Sequence, residues 1–347
     1  MKKRVGICAL VMSLVLGGCG GSGRGQGAGS LHRYEASFLD LFDTVTTIVG
    51  YAEDKDNFQQ MAQEIHDELL DYHRLFDIYH EYEGINNLKT VNDHAGGEAV
   101  EVDGRIIELL EFCRELWETT EGKVDVTMGS VLSLWYQARE IGIDDPENAA
   151  LPDPEALREA AHHVGFDLLE IDREGSSVRL TDPQARLDVG AVAKGYAVEQ
   201  VCRTAPTGLL VSVGGNVRAT GPRPTDGSAW IVGIQDPDGG EEDYLHTLYV
   251  EASSVVSSGD YQRYFTVDGV RCHHLIDPES LYPANLWRAV TVVCPDSAWA
   301  DGLSTALFLL PQEEGRALLE RFGAEAMWVE IDGERYYSSG FLEWLRT

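Results

Sequence analysis

The chain has 347 residues, of which 44% are hydrophobic and 24% charged, so it is long enough to bury one large core or two interlocked ones. Its 27 basic and 58 acidic residues give a formal net charge of −31. A surface this acidic repels polyanions, which argues against a nucleic-acid-binding or anionic-lipid-binding function.

The N-terminal residues have the pattern of a bacterial lipoprotein signal. Basic residues at positions 2–4 precede an apolar stretch over residues 5–16, which is too short to cross a membrane as a helix. The stretch ends in Leu-Gly-Gly-Cys, which is similar to a lipobox with Cys19 as the lipidated residue. An ordinary signal peptide with a chance cysteine is the alternative. We predict a signal peptide over residues 1–19 and an extracytoplasmic protein held to the cell membrane by lipid on Cys19.

The next segment separates this signal from the folded region. Residues 20–30 are nearly all glycine and serine, a composition that gives a flexible chain. We predict a tether over residues 20–33 and a single folded domain over residues 34–347. No segment of the sequence after the signal is apolar for long enough to predict a membrane span.

The first half of the folded region alternates between strand and helix patterns. Residues 38–51 predict a strand, and a long amphipathic helix follows with Ile65 and Leu69 on its apolar face. A second amphipathic helix is predicted over residues 105–119. Residues 142–155 are polar and contain proline, which predicts a loop.

Strand patterns dominate from residue 168 onward. Helices interrupt or follow them at about residues 192–203, 304–310 and 313–322. The predicted strands cover residues 209–213, 230–234, 246–251, 263–267, 289–293, 326–331 and 335–337. Strands in runs, with helices set apart, favour an α+β fold over a βαβ arrangement.

Four cysteines lie outside the signal, at spacings that match no zinc site. Cys113 and Cys202 fall on apolar faces of predicted helices, where small buried thiols are common. Cys272 and Cys294 lie in strand-like segments and could pair if those strands are neighbours. The sequence leaves that pairing open.

Asp301 and Thr305 form the most informative polar pair. They are four residues apart at the start of an apolar helical stretch, and residues four apart on a helix share one face. A carboxylate and a hydroxyl on one face suit Mg²⁺ beside a phosphate. The alternative is structural, with Asp301 as a helix N-cap and Thr305 bonded back to the helix backbone.

Two glycine-containing turns and one histidine add weaker signals. Residues 190–195 open a predicted helix, where backbone N–H groups favour phosphate, although a plain strand-to-helix turn is the simpler interpretation. The glycines of residues 214–216 permit backbone conformations with positive φ. These suit either a flat surface against a bound ring or sugar, or a tight turn. His274 could accept a proton from an attacking hydroxyl at neutral pH, or it could be an ordinary strand histidine.

Taken together and in order, these segments resemble the ApbE family. The resemblance covers the chain from about residue 38, and two segments depart from it: Phe42-Asp43 stands where other members carry Met-Gly, and residues 77–87 differ from the usual pattern. The matching blocks are residues 42–47 (FDTVTT), 124–129 (VDVTMG), 132–135 (LSLW), 187–196 (LDVGAVAKGY), 213–216 (VGGN), 258–261 (SGDY), 274–278 (HLIDP) and 300–306 (ADGLSTA).

The resemblance implies a fold and an activity. The fold would be α+β and T-fold-related, with mixed or antiparallel sheets flanked by helices and an FAD cleft between two lobes. The activity would be Mg²⁺-dependent FAD:protein FMN transfer, in which FAD is cleaved, AMP is released and FMN is joined by a phosphoester to a Thr or Ser of an acceptor flavoprotein. The acceptor would be a redox or electron-transfer subunit.

The resemblance also implies roles for individual residues. Asp301, Thr305 and the backbone carbonyl of Ala191 would hold Mg²⁺, and His274 would activate the acceptor hydroxyl. The FAD contacts would be Phe42, Tyr79, Lys123, Val124, Asp125, Asp188, Lys194 and Ile276. Two alternatives remain: an FAD pyrophosphatase that transfers FMN to water, and a non-catalytic FAD-binding lipoprotein. The presence of Asp301, Thr305 and His274 argues against the second.

Overall fold

The computed structural model describes residues 30–240 and 243–346. The predicted signal peptide, Cys19 and most of the predicted tether lie outside the described residues. From residue 31 onward the chain forms one compact unit. Its first strand begins at His32, two residues before the predicted domain boundary. A search of the described helices finds none with the length and hydropathy of a membrane span.

Several helices of the described chain begin at recognisable caps. Asp54, Asp103 and Asp296 each precede a helix and accept a hydrogen bond from a backbone N–H of its first turn. The helices are α1 (Lys55–Phe76), α2 (Leu88–Asp93), α3 (Gly104–Thr119), α4 (Gly129–Asp144), α5 (Pro154–Ala161), α6 (Ala193–Thr204), α7 (Ser297–Leu309) and α8 (Gln312–Phe322), with short 3-10 turns at Pro146–Asn148, Phe166–Leu168 and Phe341–Trp344.

The strands assemble into one large sheet and three small ones. They are β1 (His32–Leu41), β2 (Thr44–Ala52), β3 (Val100–Glu101), β4 (Leu169–Asp172), β5 (Ser177–Leu180), β6 (Leu210–Val213), β7 (Asn216–Ala219), β8 (Trp230–Gln235), β9 (Tyr244–Val250), β10 (Ser254–Gly259), β11 (Tyr264–Val267), β12 (Val270–His273), β13 (Ala289–Cys294), β14 (Glu325–Val329) and β15 (Arg335–Tyr337).

The large sheet has the order β1-β2-β6-β7-β10-β13-β14-β15, and its neighbouring strands are antiparallel. The smaller sheets are β3-β5-β4, β8-β9 and β11-β12. This arrangement of antiparallel strands with separate helices confirms the predicted α+β class.

Alternation along the strands of the large sheet gives it two apolar faces. Ile48 packs in the cluster formed with α1, α3 and α6, whereas its neighbour Val49 packs against β8 and β9 on the other face. In β10, Val256 packs against α7 and α8 on the helical face, and Val255 packs on the face covered by β8 and β9. Successive side chains point to opposite faces of a strand, so one sheet carries helices on one side and a hairpin on the other.

The predicted first strand is a hairpin of β1 and β2, so its description as a single strand was wrong. The two strands are joined at Phe42 and Asp43, which have φ values of 51° and 52°. Glycine or asparagine usually marks such a turn, and neither is present here. The turn was missed because strand-like residues continue on both sides of it.

One helix begins earlier than predicted, and two helices were not predicted. The helix predicted at residues 304–310 begins at Ser297, and Asp296 is its N-cap. Asp301 therefore lies inside α7, and the interpretation of Asp301 as a helix cap was wrong. The other part of that alternative is confirmed, because the Thr305 hydroxyl donates back to the Asp301 carbonyl at 3.5 Å. The predicted loop at residues 142–155 includes the end of α4 and the start of α5, so only its central part is irregular.

The four cysteines of the folded region are buried free thiols. Cys272 belongs to β12 and Cys294 to β13, which lie in different sheets. The condition for a disulfide between them, neighbouring strands, is not met.

Candidate active site

A cleft separates the large sheet and its helices from a smaller group of elements. We call this group the minor lobe: α4, α5 and the β11–β12 hairpin, held together by an apolar cluster that includes Val131, Trp135 and Phe265. The cleft lining includes all twelve residues predicted to bind metal or FAD or to act as a base. They are Phe42, Tyr79, Lys123, Val124, Asp125, Asp188, Ala191, Lys194, His274, Ile276, Asp301 and Thr305.

The contact between α6 and α7 brings the predicted metal ligands together. Asp301 and Thr305 are one helical turn apart on α7 and are only 5% and 8% exposed. The backbone N–H of Gly195, at the start of α6, donates to Asp301 Oδ2 at 2.8 Å. Lys194 Nζ lies 3.7 Å from the same oxygen. Burial raises the pKa of the Asp301 carboxyl, and the Lys194 charge opposes that rise.

A buried amide completes this corner of the cleft. Asn216, at the start of β7, is 1% exposed, and its Oδ1 accepts a hydrogen bond of 2.7 Å from the hydroxyl of Ser297. Its Nδ2 group makes no well-formed hydrogen bond in the described part of the chain, and the amide lies close enough to Asp301 to lower the pKa of that carboxyl. An unpaired buried donor is unfavourable, so the cleft presents an N–H group that a bound oxygen could satisfy.

This donor set suits a hard cation that also contacts phosphate. Within the described residues, no group of three His, Cys, Asp or Glu side chains could hold a metal ion. Mg²⁺ is commonly held by one or two carboxylates together with waters and phosphate oxygens, and does not need such a group. Asp301, the Thr305 hydroxyl and the Ala191 carbonyl, which all line the cleft, therefore fit Mg²⁺.

The two adjacent histidines have different environments. His273 uses both ring nitrogens: Nε2 donates to the Ala284 carbonyl at 2.7 Å, and Nδ1 accepts from the Leu275 N–H at 3.2 Å. It therefore fixes the segment that follows β12. His274 faces the cleft, and its buried Nδ1 has no hydrogen-bond partner among the described residues.

His274 is neutral at ordinary pH. Burial, followed by the positive charges of Arg263 and other nearby groups, lowers the pKa of His274 to about 3. The unprotonated ring can accept a proton. A negatively charged ligand in the cleft would raise the proton affinity of His274 by offsetting those positive charges.

The acidic and basic residues predicted to contact FAD are held in place by hydrogen bonds and ion pairs with other residues of the protein. Lys123 Nζ contacts Asp277 at 3.2 Å and Glu279 at 2.7 Å. Asp125 accepts from both the N–H and the hydroxyl of Thr127. Asp188 accepts from the Gly190 N–H at 2.9 Å. Burial raises the pKa of the Asp125 and Asp188 carboxyls, and the hydrogen bonds to their oxygens oppose that rise.

Comparison with known proteins identifies the family of this chain. The sequence profile of the ApbE family matches residues 42–328. The chain belongs to the ApbE family. It is 35% identical over 279 residues to a FAD:protein FMN transferase of Treponema pallidum, and the match covers 75% of each chain.

Two solved structures of ApbE proteins have the same fold. The ApbE protein of Thermotoga maritima superposes with a TM-score of 0.80 at 30% identity, over 91% of this chain and all of that one. The flavin transferase ApbE of Vibrio cholerae gives a TM-score of 0.75 at 25% identity, over 91% of this chain and all of its own. The ApbE-like fold expected from the sequence is therefore confirmed.

Sequence reasoning did not identify several cleft residues of this ApbE-family protein. Arg139 of α4 and Arg263, just before β11, line the cleft, and both lower the pKa of His274 through their positive charges. Tyr136 of α4 lies against Tyr79, with ring centroids 5.6 Å apart. Arg139 and Tyr136 were missed because α4 was not predicted. The scarcity of basic residues in this acidic chain is a signal that could have drawn attention to Arg139 and Arg263.

Proposed function

We propose that this protein is a Mg²⁺-dependent FAD:protein FMN transferase. The observation that carries the proposal is the meeting of Asp301 and Thr305 with the start of α6, in the same cleft as an unprotonated His274. The family membership and the flavin transfer named for the relatives support the same reaction.

The cleft provides positive charge for a diphosphate in an otherwise acidic protein. With a net charge of −31, the chain as a whole repels an anion such as FAD. Lys194, Arg139 and Arg263 line the cleft and offset this repulsion locally. Mg²⁺ held by Asp301, Thr305 and the Ala191 carbonyl would neutralise charge on the phosphates during transfer.

His274 provides the group that removes a proton from the acceptor. In the proposed step, a Thr or Ser hydroxyl oxygen of the acceptor bonds to the phosphorus on the FMN side of FAD. The bond between that phosphorus and the bridging oxygen breaks, and AMP leaves with the oxygen. The hydroxyl proton passes to the imidazole of His274. The phosphate charge would increase the basicity of this imidazole while FAD is bound.

The partners and location follow from the proposed reaction and from the N-terminal sequence. The acceptor is a flavoprotein domain with a Thr or Ser available, such as a redox or electron-transfer subunit. The lipobox-like sequence at Cys19 supports an extracytoplasmic protein anchored to the cell membrane by lipid. Growth with a labelled fatty acid would test that anchor, since Cys19→Ala should abolish labelling.

One experiment separates this function from its alternatives. The purified protein is incubated with FAD and Mg²⁺, with and without a candidate acceptor domain, and analysed by intact-mass spectrometry and by chromatography of AMP. An acceptor heavier by one FMN, with an equal amount of AMP, supports transfer. AMP and FMN without an adduct would support hydrolysis. FAD bound without any AMP would support the carrier alternative.

A further inference from the structure

The hairpin turn at Phe42 and Asp43 needs support from outside the turn. Both residues have positive φ, a region that non-glycine residues rarely adopt. Phe42 also lines the cleft, where it is a predicted FAD contact. A disfavoured backbone at a ligand contact persists only where its surroundings hold it.

His73 of α1 supplies part of that support. The N–H of Phe42 donates to His73 Nδ1 at 3.1 Å, and the two rings meet edge to face with centroids 5.4 Å apart. This hydrogen bond requires Nδ1 to be unprotonated. Burial lowers the pKa of His73, which keeps the ring neutral at ordinary pH.

Tyr82 and Asp77 determine which nitrogen of His73 carries the proton. A carboxylate can only accept, so the hydroxyl of Tyr82 donates to Asp77 Oδ2 at 2.7 Å. The tyrosine oxygen then accepts from His73 Nε2–H at 3.3 Å. The proton thus lies on Nε2, and Nδ1 is left to accept from Phe42.

The same carboxylate also fixes the part of the cleft wall that carries Tyr79. Asp77 is 8% exposed, and its Oδ1 accepts from the N–H groups of Tyr79 and His80 at 2.6 Å and 3.1 Å. Such side-chain bonds to the backbone two and three residues on fix a turn. Tyr79 projects from that turn into the cleft lining.

We propose that Asp77, Tyr82 and His73 form a positioning relay that holds Phe42 and Tyr79 in place to bind the planar ring of a flavin dinucleotide. The inference rests on the proposed function, because it takes FAD as the ligand. The relay acts on binding and not on the phosphoryl step, since none of its three members contacts Asp301, Thr305 or His274 through a hydrogen bond or ion pair in the described chain.

Tyr82→Phe tests the relay with the smallest change. It keeps the ring and removes the hydroxyl that connects Asp77 to His73. FAD affinity, measured by flavin fluorescence, should fall by about tenfold, the equivalent of one hydrogen bond. The KM for FAD should rise by a similar factor while kcat stays within about twofold, because the loss affects substrate binding. The ¹⁵N shifts of the His73 ring should report loss of the fixed Nε2–H tautomer.

Repeating the Tyr82→Phe substitution in an Asp43→Gly protein makes the test specific. Asp43→Gly removes the strain at one of the two positive-φ residues, so the turn depends less on His73. Tyr82→Phe should therefore weaken FAD binding less in the Asp43→Gly protein than in the wild type. Tyr336→Phe is the matched control, because Tyr336 is not part of the cleft lining and its hydroxyl donates to Glu334, and it should leave FAD binding unchanged.

Two outcomes would overturn the inference while leaving the function intact. One is a wild-type protein that binds FAD with an affinity that Tyr82→Phe does not change. The other is an equal effect of Tyr82→Phe in both backgrounds. A wild-type protein that fails to bind FAD would overturn the proposed function and the relay with it.

Discussion

A methyl group placed on Gly195 would lie 2.4 Å from the Cβ atom of Asp301. The start of α6 therefore approaches α7 as closely as glycine permits. This close approach allows the Gly195 N–H to reach the Asp301 carboxylate. The glycine in this motif is needed for helix packing at the proposed metal site, since it adopts no unusual φ there.

Gly195→Ala should damage both the fold and the site. The new methyl would meet Asp301 and the Ser297 carbonyl, each at 2.4 Å, and a backbone oxygen cannot move aside cheaply. We expect a loss of about 1–3 kcal/mol in the free energy of unfolding, measured by chemical denaturation. Gly104→Ala, at the start of α3 with no atom within 4 Å of the new methyl, is the control and should be neutral or slightly stabilising. Equal stability of the two variants would contradict this account.

Asp301→Asn should remove Mg²⁺-dependent turnover and leave the protein folded. The amide oxygen can still accept from the Gly195 N–H, but the charge that attracts the cation is gone. We expect AMP production to fall by at least ~10²-fold. Circular dichroism should match the wild type. If the variant turned over at the wild-type rate, Asp301 would be excluded from the metal site.

His274→Asn should slow transfer far more than it weakens FAD binding. Loss of a general base typically lowers the rate by about 10²–10⁴-fold. Single-turnover rates of AMP release, compared with fluorescence titration of FAD, separate the two effects. A changed binding constant with an unchanged single-turnover rate would make His274 a ligand contact.

The low pKa of His274 also predicts how the protein responds to acid. Burial keeps the folded-state pKa at about 3, whereas the unfolded chain takes up this proton near pH 6.5. Between these values the unfolded state binds more protons, so the contribution of His274 to stability is lost as the pH falls. The free energy of unfolding of His274→Asn should therefore decline less between pH 7 and pH 5 than that of the wild type. Parallel declines would place His274 in a more solvated environment.

Ser297→Ala should release the amide of Asn216. The hydroxyl of Ser297 donates to Asn216 Oδ1, and its loss leaves a buried acceptor unpaired. We expect a decrease of about 1–3 kcal/mol in the free energy of unfolding and a higher Mg²⁺ concentration for half-maximal turnover. Ser133→Ala, which removes an exposed hydroxyl bonded to its own helix, is the control. An unchanged Mg²⁺ requirement would show that the orientation of Asn216 does not matter to the cation.

The sequence predicted those parts of the site in which the spacing of residues along the chain determines their relative position in space. Asp301 and Thr305 are four residues apart, so they share a face of any helix that includes both, and α7 does so because it begins at Ser297, seven residues before the predicted start. The strand alternation and the helical stripe of α1 identified core positions for the same reason: each follows from a local repeat.

The residues that sequence reasoning missed depend on long-range contacts. Arg139 lies in the cleft lining because the minor lobe, which includes α4, forms one side of the cleft. No local sequence pattern encodes that arrangement. The relay through His73 and Tyr82 joins a helix to a loop and supports a turn without glycine. The free state of Cys272 and Cys294 likewise follows from strand order, which the sequence left open.

The antiparallel pairing of β2 with β6, from distant parts of the chain, has a consequence for folding. The cleft wall at Phe42 adjoins β2, so its assembly depends on this non-local pairing, which is slow to form because a long loop must close first. Recovery of flavin fluorescence quenching during refolding would therefore report the last stage of assembly, after most helical signal has returned.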